Sequence, residues 1–209
     1  MIQLHKRILR FPWRKVLALS CALLVCTALW AEAQQSQLAA GMVRMHVLAN
    51  SDSPADQALK LVVRDKILAE TKTLLAGQTD AAGAETVLRE NLATLAHLAE
   101  QTIYDEGYPY TVSVRLENTW FPTRQYDTFA LPAGPYNALR VLIGNGAGHN
   151  WWCVVFPPLC LSSVTETSVE TAGMTDEDYA MITEQNQGYV IKFRVVELWE
   201  QWKHTLFPA

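Results

Sequence analysis

Basic charge is scarce in this chain, and so are cysteines and metal-ligand spacings. Its 209 residues hold 17 Lys and Arg against 21 Asp and Glu, a formal net charge of −4. Five of the basic residues (Lys6, Arg7, Arg10, Arg14 and Lys15) and one acid, Glu32, precede Gln34, leaving 12 basic against 20 acidic residues beyond it. That balance gives nucleic acid no basic patch and anionic lipid no electrostatic hold. The histidines His5, His46, His97, His149 and His204 are scattered, and no pair has ligand spacing, so neither metal nor cofactor is expected. Internal repeats and low-complexity tracts are missing as well.

Two further absences bear on the densest motif, Gly144 to Cys160, which joins a glycine-rich loop, a Trp pair and an apolar run bracketed by cysteines. Gly144-x-Gly146-x-Gly148 lacks the full dinucleotide fingerprint, and the next element reads as a strand. No helix N-terminus is there to hold a phosphate. A tight hairpin connection is the expectation. His149, four residues before Cys153, fits no nucleophile–base signature. A hydrolase built on Cys153 and His149 is the alternative reading of this segment.

The N-terminus reads as an export signal. A basic start precedes the uncharged run Val16–Leu29, and Ala31-Glu32-Ala33 is a small-x-small site with cleavage expected after Ala33. The run is short of the roughly 20 residues of a full crossing; an uncleaved N-terminal anchor is the other reading. Residues 34–209 then form one domain. In that part only Cys153 and Cys160 remain. Outside the cytoplasm they are expected to pair and fix the turn between them, against two buried thiols.

The pattern predicts a buried strand over Val43–Leu48. A helix follows from about Pro54 to Leu75, with Ser53 as N-cap and Asp56 in a capping-box variant. A second helix runs from an Asp80 cap to Gly107, and the two are expected to form a hairpin needing a sheet. Tyr110 to Glu117 alternates with period two. A turn over Asn118–Thr123 with Trp120 at its tip, a return strand over Arg124–Leu131, a central strand over Tyr136–Ile143 and a strand over Trp151–Phe156 complete the sheet. Residues 162–188 carry acids with no Lys or Arg and read as a mobile acidic segment. Val190–Leu206 reads as a closing amphipathic helix. The predicted fold is α+β, a mostly antiparallel sheet with helices packed on one face behind the N-terminal segment.

Aromatic residues stand beside the predicted turns. In a strand Trp151 and Trp152 must point to opposite faces, so one enters the core and the other meets a helix, a loop or a partner. Trp120, His149, Asn150 and the Trp pair are therefore the candidate partner-binding residues.

Several segments resemble the stage II sporulation protein R family. They are Val43-Arg44-Met45-His46-Val47-Leu48-Ala49-Asn50-Ser51-Asp52-Ser53-Pro54 with its continuation to Asp65, Leu131 to Tyr136 with Leu139 to Gly144, Asn150 to Cys160, and Lys192 to Glu197. The resemblance implies a protein made in the forespore of an endospore-forming bacterium and exported toward the mother cell, as a signal. Its implied partner is a membrane-embedded aspartic protease of the mother cell, which processes the precursor of sigma factor E. It implies a ligand, not an enzyme, and carries over no catalytic residue. The expected location is the space between the two membranes.

Overall fold

The computed structural model describes residues 13–126 and 130–159, with the single positions Trp202 and Thr205. The acidic segment, most of the closing helix and Cys160 lie outside the described residues.

Helix α1, Trp13–Ala40, is one unbroken run of 28 residues. Leu17, Leu19, Leu23, Leu24 and Leu29 are exposed along it. It is the one described helix long and apolar enough to cross a membrane. Its buried residues lie in the last turns: Ala31, Gln35 and Leu38, at i, i+4, i+7. The expected cut after Ala33 falls inside α1, but Gln35 and Leu38 lie beyond it. Gln35 Nε2 donates to the Pro135 carbonyl at 3.1 Å.

Strand β1, Val43–Leu48, is buried along its whole length. Helix α2, Pro54–Leu74, starts as predicted: Ser53 Oγ accepts from the Asp56 N–H at 3.1 Å and Pro54 occupies the first turn. The expected second helix is two helices, α3 (Ala81–Glu90) and α4 (Leu92–Asp105). Asn91 divides them, because its side-chain amide donates to the Val87 carbonyl at 2.8 Å and competes with the helical ladder.

The sheet holds β2 (Val112–Phe121), β5 (Gly134–Ile143), β1 and β6 (Asn150–Phe156), in the order β2-β5-β1-β6. β1 and β5 run parallel, and both outer pairings are antiparallel. The α+β class and the interior placing of the 136–143 strand agree with the sequence pattern. Three local expectations do not. First, no turn begins at Asn118, because Asn118–Phe121 continue the ladder against Asn137–Gly134. Second, the 124–131 return strand is two two-residue strands, β3 (Arg124–Gln125) and β4 (Ala130–Leu131), paired with each other apart from the main sheet. Third, the glycine loop is not a hairpin. β5 and β6 lie on opposite sides of β1, so the loop must cross the end of β1.

Each face of the sheet has its own core. Val43, Met45, Val47, Leu139, Val141, Cys153 and Val155 face α2, α3 and α4, meeting Leu59, Val63, Leu88, Leu95 and Ile103. The opposite face is smaller: Phe121, Tyr136, Ala138, Val154 and Leu159 pack with Leu38 at the end of α1 and with Met42.

Candidate functional site

The site grows from the end of β1. Ala49 and Asn50 leave the strand, and Ser51 to Ser53 turn the chain into α2. The glycine loop lies directly on this turn. Gly148 N–H donates to the Ala49 carbonyl at 2.9 Å, and Ala147 N–H to that of Asn50 at 3.3 Å. Asn145 N–H donates to Asn50 Oδ1 at 3.0 Å. Glycine is required by closeness: a Cβ on Gly148 would lie 2.2 Å from the Ser51 carbonyl oxygen. At Gly144 a φ of +56° adds the left-handed backbone, which disfavours any side chain.

A polar network fixes the turn from beneath. Asp56 accepts from Ser51 Oγ at 2.6 Å and from Asn50 Nδ2 at 2.9 Å. These donors, the Ser51 hydroxyl foremost, hold its carboxyl below the ordinary range. Gln57 Nε2 donates to the Ser51 carbonyl at 2.9 Å. Lys60, almost fully buried, donates to Gln57 Oε1 at 2.6 Å and to the His149 carbonyl at 2.9 Å. Burial pulls its pKa below the usual lysine value. The Lys60 ammonium thus joins the first helix of the domain to the far end of the glycine loop.

At that end His149 meets Asp52. The His149 backbone N–H donates to Asp52 Oδ1 at 2.6 Å, and its ring Nδ1 contacts the same oxygen. The His149 side chain is 78% exposed, so the imidazole is oriented by a carboxylate and turned to solvent. Cys153 is 3% exposed in the helix-side core. The proposed nucleophile is thus buried, and the proposed base is engaged at Asp52.

The Trp pair divides as the strand geometry requires. Trp151 turns toward α2, where the Arg64 guanidinium lies 4.1 Å from its ring centroid, and it remains 37% exposed. Trp152 turns to the opposite face and stacks on His46, with centroids 3.7 Å apart and planes 14° apart. Asn150 Oδ1 accepts from His46 Nε2 at 2.7 Å, which makes Nε2 the protonated nitrogen. Burial pushes the His46 pKa down to about 4.

His149, Asn150, Trp151 and Trp152 are therefore together, as consecutive residues must be. Trp120 is not with them. It pairs with Pro135 on an outer strand, whereas Asn150 pairs with Leu48 at the other end of β1 and at the other edge of the sheet. Asp52, Lys60, Arg44 and His46 were not picked out as site residues from the sequence. The signal for the last two was present: Arg44 and His46 alternate with Val43, Met45 and Val47, which is the period of a two-faced strand.

These features define a class first: an α+β domain behind an apolar helix, with an ordered loop clasped onto the cap of its first internal helix. The chain belongs to the stage II sporulation protein R family, whose model matches residues 39–166, from the end of α1 past β6. The Stage II sporulation protein R of Bacillus subtilis (strain 168) is 42% identical over 118 residues, 56% of this chain and 53% of that protein. The chain thus matches about half the length of this relative. No solved structure matches the chain.

Proposed function

We propose that this chain is an exported sporulation signal, a ligand and not an enzyme, passing from forespore to mother cell. There it triggers a membrane-embedded aspartic protease that processes the precursor of sigma factor E. The family match over residues 39–166 carries this reading. The apolar helix α1, suited to a signal or an anchor, supports it. Activation would come from binding the protease's active arrangement better than its inactive one. The reading surface is the exposed corner formed by Asp52, His149, Asn150 and Trp151, a narrower patch than one that includes Trp120. Cys153 and Cys160 pair there to brace the strand that carries the corner.

The test is reconstitution in a non-sporulating host that produces this chain, the protease and the sigma precursor. Processing is expected only when all three are present and this chain is exported. His149→Ala with Asn150→Ala should abolish processing while the protein stays folded. Unchanged processing by that double variant would remove the corner from the proposal. Processing without this chain would remove the signalling role.

A further inference from the structure

The small-x-small motif Ala31-Glu32-Ala33 does not lie in a loop. It is part of α1, which runs unbroken from Trp13 through the motif to Ala40. The backbone N–H and C=O groups of the motif are therefore engaged in the helical ladder. Ala31, the first small residue of the motif, is 0% exposed. A protease that reads small-x-small must seat the Ala31 and Ala33 side chains and hold the chain extended across the bond that follows. A helix with Ala31 buried offers neither.

The turn beyond that bond fastens α1 to the sheet. Gln35 is 3% exposed, and its Nε2 donates to the Pro135 carbonyl at 3.1 Å. Gly134 makes the seat for this side chain: a Cβ there would lie 2.4 Å from Gln35 Nε2, and the glycine holds a φ of +152°. One turn later Leu38, 2% exposed, sits in the smaller core with Phe121 and Tyr136. Unwinding Ala31 to Gln35 for a protease therefore breaks the ladder bonds, the Gln35–Pro135 bond and the seat on Gly134 together.

We propose that the folded domain protects the Ala33–Gln34 bond from signal peptidase, so that the order of cutting and folding decides between release and tethering. A chain cut before the domain closes loses the apolar part of α1. A chain that folds first keeps it and stays on the membrane. The reaction at stake is hydrolysis: water gives its hydroxyl to the Ala33 carbonyl carbon and a hydrogen to the Gln34 nitrogen. Cutting of the folded chain proceeds only through its opened population, which the Gln35 and Leu38 contacts keep small. The inference rests on the export-signal reading of the motif and not on what the domain binds.

The experiment uses the full chain, folded in non-ionic detergent, and a purified type I signal peptidase, with products identified by mass. A peptide of residues 13–40 is the unprotected substrate. The peptide is expected to be cut after Ala33, and the folded chain at least about a hundredfold more slowly. Gly134→Leu fills the Gln35 seat without altering the cut segment, and Leu38→Ala loosens the next turn. Each should raise the cutting rate of the full chain at least about tenfold, while slow amide exchange in β1 shows that the sheet persists. A variant that loses the slow exchange is unfolded, and the comparison of wild-type chain with peptide then decides. Equal rates for peptide and folded chain overturn the proposal, and so does an unchanged rate in both folded variants. If the peptide is not cut either, the motif is no cleavage site, and the export-signal reading fails together with the protection.

Discussion

His46 makes the stability of the sheet dependent on pH. Its pKa is about 4 in the folded protein, against about 6.5 when unfolded. The unfolded chain therefore takes up a proton that the folded chain refuses. Stability from this residue is full above pH about 6.5 and is lost as pH falls toward about 4, by at most about 3 kcal/mol. His46→Phe keeps a ring against Trp152 and should remove most of that slope from urea midpoints measured between pH 7 and 4. Gly148 poses a steric question. A Cβ there meets the Ser51 carbonyl, a backbone atom that cannot swing aside. Gly148→Ala should cost about 1–3 kcal/mol in urea unfolding, and an unchanged midpoint would show that the loop does not hold this seat.

Among the elements, α1 carries two different roles in one helix. Its exposed leucines suit a membrane or an export channel, and its last turns suit the sheet. Gln35 and Leu38 follow the expected cut, so cleavage after Ala33 removes the apolar part and keeps the packed part. Thiols report on this directly. Cys21 and Cys26 are free and exposed in α1. With Cys153 paired to Cys160, the full chain should titrate two thiols under denaturing conditions and the cleaved chain none; a reactive thiol in the cleaved chain would revive the hydrolase reading. Element boundaries were less legible than element types. The helix cap at Ser53 was readable because a cap is a local bond. The length of β2 was not, because Asn118 to Phe121 are strand only by virtue of the partner strand Gly134–Asn137.

At the scale of the fold, the order β2-β5-β1-β6 buries β1 and β5 between neighbours and, among the described residues, leaves β2 and β6 at the edges. Amide hydrogen exchange should follow that order, slowest for Val43–Leu48 and Ala138–Ile143 and faster at the outer strands. Equal protection of all four strands would contradict the topology. The same order explains what the sequence alone could and could not say about the site. Hydrophobic period, the Ser53-Pro54 start and the apolar N-terminus are local signals, so class, most elements and the export or anchor segment were readable directly. The glycine loop was recognised as constrained, but its partner was not, because Asn50 and Asp52 lie about a hundred residues away in the chain and meet it only across the end of β1. The row of paired residues Arg115, Arg140, His46 and Trp152 is likewise written in four separate strands, each contributing one residue. Sequence determined which residues alternate toward a common face; only strand order and register, set by burial of both sheet faces, decided which of them stand side by side.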